Sequence, residues 1–359
     1  MDTSILIALV KVISIVLISG IIVLRTIPTI NYIAHSKGLL NAPGERTSHR
    51  YKTPNLGGIS IFLAACITSL LFIYDDFLVF KSIYLASIII FFVGLKDDII
   101  LLSPWKKLLA QFAVAALIVI SNLRFTHTFS LFGFDLFSDI FSIIITIGFI
   151  VSIINAINLI DGIDGLAASI GSLILGVFGI FFFINGLYSW SFYCAGMVGA
   201  LLAFFQYNVF GLRNKTFMGD SGSLLLGLSI AVATIMFWEA NADKTLPFTL
   251  RNAPAIAFAV IIIPVFDVVR IFFYRIVHRL SPLSADRNHL HHRIVDIGFS
   301  HFQTSMILTA LNVLMIAIAF GLSFFFGTIW TTLILVVLMS LSVALINKIY
   351  KKKGKKTKV

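Results

Sequence analysis

Residues 140–184 read IFSIIITIGFIVSIINAINLIDGIDGLAASIGSLILGVFGIFFFI. Two apolar runs, 140–156 and 166–184, flank a turn rich in Asn, Asp and Gly that carries no cation. A bilayer-spanning helix needs about 20 mostly apolar residues, so each run reads as a transmembrane helix. The same pattern extends outward in both directions. Comparable runs fall near 5–24, 57–73, 78–95, 108–122, 191–207, 224–238, 255–274, 306–326 and 329–346, about eleven in all. Mean hydropathy is +1.01 and only 12% of residues are charged, against about a quarter in soluble domains. Little length is left for a soluble domain. The expected fold class is therefore an all-α polytopic membrane protein with about eleven transmembrane helices, a single integral membrane domain over residues 1–359 ending in a basic tail, 350–359. The first run starts almost at Met1 without a small-residue cleavage pattern, which reads as a retained span. Cys66 and Cys194 lie inside apolar runs and suit packing rather than a disulfide framework or a metal cluster.

A formal net charge of +11 raises the question of loop asymmetry before that of nucleic acid, which is not expected as a partner. One side of the membrane collects Arg25, Lys37, Arg46, Arg50, Lys52, Lys96, Lys106, Lys107, Arg213, Lys215, the run 270–293 and the lysine tail. The other side carries Lys81, Arg124, Lys244 and Arg251. By the positive-inside rule the N-terminus is external and the C-terminus cytoplasmic. The tail suits anionic lipid at the inner leaflet or plain solvation, and the external segment 123–139 suits a hairpin or an interfacial helix.

Five breaks on the basic side hold the polar chemistry. The first, 42–58, places basic residues before the pair Gly57-Gly58, whose backbone N–H groups could face an anion. The second contains Lys96-Asp97-Asp98 and then Lys106 and Lys107. Adjacent carboxylates at a membrane surface raise each other's pKa, so a divalent cation or general-base chemistry explains them, with a helix-end acidic patch as the alternative. In the third break Asn155, Asn158, Asp161 and Asp164 recur every three residues. They share one stripe if the helix continues, and Gly162 and Gly165 let a ligand approach the backbone.

The fourth break, 208–222, ends in Phe217-Met-Gly-Asp-Ser-Gly-Ser223. Asp220 among small residues suits Mg²⁺ shared with substrate phosphates, or a helix N-cap; no P-loop lysine follows. The fifth holds Arg287, His289, His291, His292 and Arg293. Histidine spacing without cysteine is a poor zinc pattern, and the interleaved arginines favour anion and sugar recognition. Asp267 reads as the partner of Arg270 one turn on.

Together Lys-Asp-Asp at 96–98, Asn-Leu-Ile-Asp-Gly-Ile-Asp-Gly-Leu at 158–166, Phe-Met-Gly-Asp-Ser-Gly-Ser at 217–223 and His-Leu-His-His at 289–292 resemble the polyprenyl-phosphate N-acetylhexosamine-1-phosphate transferases, the MraY, WecA and TagO-like family. The resemblance implies an MraY-like fold and an inner-membrane enzyme with its active site on the cytoplasmic face. It would join a UDP-sugar to a polyprenyl phosphate lipid, releasing UMP, with Mg²⁺ or alternatively Mn²⁺, and work as a homodimer. It makes Asp97 the base for the lipid phosphate, Asp98 its catalytic partner and a metal position, and Asp220 the catalytic metal ligand. It places Lys107 near the phosphates and counts Lys52 among the substrate-binding residues. Asn158 counts as substrate-binding, and Asp161, Gly162, Asp164, Asn208 and Phe217 match the nucleotide side, with Asn214 as a substitute for Asn208. His289, His291, His292, Arg287 and Arg293 match the sugar and diphosphate region. The histidine loop looks closer to the WecA and TagO branch, which points to a UDP-N-acetylhexosamine such as UDP-GlcNAc. A transporter or flippase of an anionic lipid is the rival reading; it would place the acids near the bilayer midplane.

Overall fold

The computed structural model describes residues 3–39, 53–126, 138–279 and 288–356. Every helix or strand element among them is a helix: α1 Thr3–Lys37, α2 Gly57–Phe72, α3 Phe77–Ile99, α4 Pro104–Ile120, α5 Ser138–Ile160, α6 Leu166–Ile184, α7 Tyr188–Phe210, α8 Gly219–Ala242, α9 Ala253–Val260, α10 Ile262–Val277, α11 Leu290–Ile297, α12 His301–Ser323 and α13 Thr328–Lys356. Each of the eleven apolar runs falls on this series. Among the described residues eight helices are long and apolar enough to cross a membrane, and α9 with α10 passes the same length and hydropathy test only as a pair broken by a bend. The chain is a multi-pass membrane protein. The helices α2 and α4 are shorter, with 16 and 17 residues, and α11 lies in a break where no span was expected. The lysine-rich stretch from Tyr350 continues α13.

Packing divides the chain into two compact units. The first comprises Met1–Asn158 and Gly171–Thr249. Here α1 lies on α2 and α7, α2 also meets α7 and α8, and α3 meets α4 and α8. The reason is legible in α1, whose buried residues Ala8, Ile15, Ser19, Val23, Ile27, Asn31 and Ala34 recur at helical spacing on one face. By contrast α8 is buried almost all round, as befits a central helix. Lipid tails are as apolar as leucine, so membrane helices associate through close packing and small residues. A Cβ on Gly94 of α3 would lie 2.6 Å from the Asp220 backbone. Only glycine lets α3 come that close to the start of α8.

The second unit comprises Leu159–Ile170 and Leu250–Val359. In it α9 packs on α12 and α13, and α11 on α12 and α13. The run 255–274, expected as one span, bends by 78° between α9 and α10. Pro264 causes this. Proline has no N–H to give the carbonyl four residues earlier, and its ring crowds that carbonyl. The freed Val260 carbonyl accepts instead from buried Asn312 of α12, at 3.0 Å, with Ala259 at 3.3 Å. Replacing Asn312 by Leu leaves that carbonyl without its donor, so stability should fall by about 1–3 kcal/mol. Thermal unfolding in detergent would measure it; an unchanged midpoint would dismiss Asn312 as the bend's clasp.

Candidate active site

In the first unit four helix ends bring one polar cluster together. Asp97 and Asp98 end α3, Lys107 opens α4, Asn158 closes α5 and Asp220 opens α8. Successive residues on a helix point about 100° apart, so the two adjacent aspartates serve different neighbours. Asp97 accepts the Leu102 N–H on Oδ1 at 2.6 Å, which fixes the turn between α3 and α4, and meets Lys107 Nζ on Oδ2 at 2.7 Å. Lys107 Nζ also lies 2.5 Å from Asp220 Oδ2. Asn158 donates to the other Asp220 oxygen at 3.2 Å and to Ser223 Oγ at 2.8 Å.

Asp98 turns to α8. That helix has no side-chain cap from its own N-cap residue, Met218. Asp98 supplies one from α3, accepting the Asp220 N–H at 2.8 Å, the Ser221 N–H at 3.0 Å and the Asn55 amide at 3.0 Å. The arrangement needs Gly219: its φ is +71°, and a Cβ there would sit 2.6 Å from an Asp98 oxygen. Capping, raised for Asp220 from the sequence, is thus done by Asp98, and the Asp220 side chain faces Lys107.

Among the described residues no three His, Cys, Asp or Glu side chains gather to hold a metal ion. Carboxylate oxygens from two helices nevertheless converge on one ammonium. Such a pair fits Mg²⁺, which usually takes one or two carboxylates and completes its shell with substrate phosphates and water.

Two expectations for this unit change. The N–H groups of Gly57 and Gly58 do not face an anion: they donate to the carbonyls of Phe217 and Met218, both at 2.9 Å, because α2 packs against the loop before α8. Asn155 does not stand in the ligand stripe either, since its amide pairs with Gln111 at 2.6 Å. Asn208 is buried and holds the loop through the Thr216 carbonyl at 2.9 Å. The Phe217 ring is half-buried with Lys215 Nζ 5.9 Å from its centre. Asn214 offers its carbonyl to Asn31.

The second unit holds a different cluster, of aspartates and histidines. The stripe expected along a continued helix breaks, because α5 ends at Ile160 and Asp161 to Gly165 form a turn; glycines at 162 and 165 stop the helix. In that turn Asp164 is buried. Its Oδ2 lies 3.2 Å from His301 Nδ1 on α12, and its carbonyl accepts from Ser305 at 2.8 Å. Gly162 admits His291, whose Nε2 would stand 2.6 Å from a Cβ there. His292 is half-buried, its ring 4.2 Å from that of His291. Asp267 pairs with Arg270 at 2.7 Å, as expected, and also with His289 at 2.9 Å. Arg293 is tied to Asn347 of α13 and reaches Asn288 at 3.4 Å. Lys52 and Arg287 lie outside the described residues.

Burial, reinforced by neighbouring His292, pushes the His291 imidazole down to about 3. An unfolded histidine binds its proton below about pH 6.5. The unfolded state therefore binds more protons than the native one between these values, and this contribution to stability is lost as pH falls from about 6.5 towards 3. Unfolding midpoints at pH 7.5 and 5 should differ, and His291→Gln should reduce the difference. An equal acid shift in both proteins would count against the buried neutral imidazole.

His301 and Asn55 were not singled out from sequence. The signal for His301 was a titratable residue directly after Ser300, which opens α12 through a capping box with Gln303. Asn55 had none beyond its place in a polar break.

A family model described as glycosyl transferase family 4 matches residues 80–238. The undecaprenyl-phosphate alpha-N-acetylglucosaminyl 1-phosphate transferase of Escherichia coli O157:H7 is 30% identical over 291 residues, 80% of this chain and 77% of the relative. The chain belongs to glycosyl transferase family 4. The Haemophilus influenzae protein of the same description is also 30% identical, covering 80% of this chain and 79% of its own length. The family 4 match spans the whole first-unit cluster from Asp97 to Asp220, whereas the histidine loop lies beyond it. This family 4 chain thus carries its aspartate–lysine cluster inside the matched segment and its aspartate–histidine pairs mostly outside.

Proposed function

We propose that this enzyme transfers N-acetylhexosamine 1-phosphate, with GlcNAc 1-phosphate foremost, from a UDP-sugar to undecaprenyl or another polyprenyl phosphate, releasing UMP. The observation that carries the reading is the convergence of Asp97 and Asp220 on Lys107. Phosphoryl transfer asks mainly for positioning and charge neutralisation. Asp97 Oδ2 holds the proton of the lipid phosphate, whose oxygen attacks the phosphorus next to the sugar. The bond from that phosphorus to the bridging oxygen breaks, and UMP leaves. Lys107 neutralises phosphate charge, and Asn158 orients Asp220. Asp220 would hold Mg²⁺ or Mn²⁺, with Asp98 keeping it in place through the α8 backbone; when bound, the ion offsets charge on the diphosphate. On the nucleotide side the reading keeps Asp161, Gly162, Asp164, Asn208 and Phe217, and it assigns the histidines to sugar recognition.

Membranes containing the protein, given polyprenyl phosphate and a panel of radiolabelled UDP-sugars, should yield labelled lipid and UMP from UDP-GlcNAc. No labelled lipid from any sugar would end this reading.

The reading also assigns a homodimer in the inner membrane, with the polar breaks on the cytoplasmic side. The lysine and arginine split supports that orientation. Cysteines introduced at His292 or Lys351 should resist a membrane-impermeant thiol reagent in intact cells and react after lysis. Labelling from outside would invert the topology.

A further inference from the structure

Asp267 belongs to no motif of the aspartate cluster, yet it is among the most heavily bonded side chains of the second unit. It lies in α10, 2% exposed. His289 Nδ1 is 2.9 Å from its Oδ2, the Leu290 N–H reaches both oxygens at 3.2 Å, and Arg270 Nη2 donates to Oδ1 at 2.7 Å. The same Arg270 nitrogen also donates to the Asn288 carbonyl at 2.6 Å. Leu290 is the first residue of α11, and the N-cap residue His289 supplies no side-chain cap of its own. Asp267 therefore caps the histidine-bearing helix from a neighbouring helix, much as Asp98 caps α8.

The protonation pattern follows from the donors. An ionised carboxylate only accepts hydrogen bonds, and Arg270 with the Leu290 N–H stabilises the ionised form. The proton shared by Asp267 and His289 accordingly sits on Nδ1. A carboxylate bonded to one ring nitrogen sets the chemistry of the other. We propose that Asp267 is a positioning residue that locks His289 in the Nδ1–H tautomer, presenting Nε2 as a hydrogen-bond acceptor for a hydroxyl of the sugar substrate. The use of Nε2 rests on the transferase reading above; the tautomer does not. In its neutral form such a ring suits a sugar O–H, a donor, better than a diphosphate oxygen, which only accepts. The His291 ring, 5.7 Å from that of His289 and nearly parallel to it, is kept neutral by burial.

The test uses the full chain in nanodiscs with ¹⁵N-histidine labelling. The His289 resonance, assigned by its loss in His289→Asn, should show a protonated Nδ1 and a bare Nε2 near pH 8. In Asp267→Asn that preference should weaken or reverse, because an amide can donate to Nδ1 as well as accept from it. In the same variant KM for UDP-GlcNAc should rise about tenfold, the worth of one well-placed hydrogen bond, while inhibition by UMP, which lacks the sugar, stays unchanged. His289→Asn should match this split, since its amide can still donate to Asp267 but has no Nε2. A wild-type Nε2–H tautomer would overturn the proposal. So would equal losses of UMP and UDP-GlcNAc binding in Asp267→Asn, which mark a purely structural role. Wild-type protein with the stated tautomer but no turnover of any UDP-sugar would instead defeat the transferase reading, and with it the assignment of Nε2 to a sugar.

Discussion

Asp220→Asn will abolish transfer while the protein still folds and inserts. Its carboxylate is one of two converging on Lys107, at 2.5 Å, and in the proposed reading it shares a divalent ion with substrate phosphates. Several kcal/mol of charge stabilisation are at stake, so turnover should fall on the order of 10³-fold. The fold should survive, because the bonds that start α8 come from the Asp220 backbone N–H to Asp98 and not from the Asp220 side chain. Turnover should also need added Mg²⁺ or Mn²⁺ and stop in excess EDTA. Undiminished turnover in EDTA would remove the metal from the mechanism; a variant that unfolds would show that Asp220 is a structural residue.

The adjacent pair should separate on mutation. Asp97→Asn is expected to lower kcat by about 10²–10⁴-fold, the range for loss of a general base, with little change in UDP-sugar binding, since a base acts chiefly in the transition state. The deficit should narrow at higher pH. Phosphate monoesters lose their second proton near pH ~6, and an ionised lipid phosphate depends less on a base. The bond that Asp97 Oδ1 makes with the Leu102 N–H can be kept by asparagine, so the turn before α4 persists. In Asp98→Asn one oxygen becomes an NH₂ group facing N–H donors of α8 or Asn55, and at least one of three accepted bonds is lost. That variant should lose stability and metal or substrate affinity without rescue at high pH. Identical pH profiles for the two variants would make the pair one electrostatic unit.

Why the separation could not be read from the motif alone is plain from its geometry. Lys-Asp-Asp marks a polar end on α3, but which carboxylate meets Lys107 depends on where α4 and α8 arrive. The partners Lys107 and Asp220 are 113 residues apart, and Asn158 and Asp220 are 62 apart. The same limit explains the Gly57-Gly58 pair. In the sequence alone its N–H groups suit an anion; in the fold the carbonyls of 217–218 take them.

Helix identity, the number of apolar runs and the residues able to carry chemistry were set locally by the sequence. Some 20 apolar residues must pair their backbone groups within the segment when no water is present, and glycines, aspartates and histidines stand out against such runs. Direction was decided by the tertiary structure: Asp97 towards Lys107, Asp98 into the cap of α8, Asp267 onto His289, and Asn312 onto the carbonyl that Pro264 sets free. A hydrogen bond depends on an angle and a distance of a few tenths of an ångström, and those are fixed by the helix that packs alongside, which periodicity along one helix does not encode.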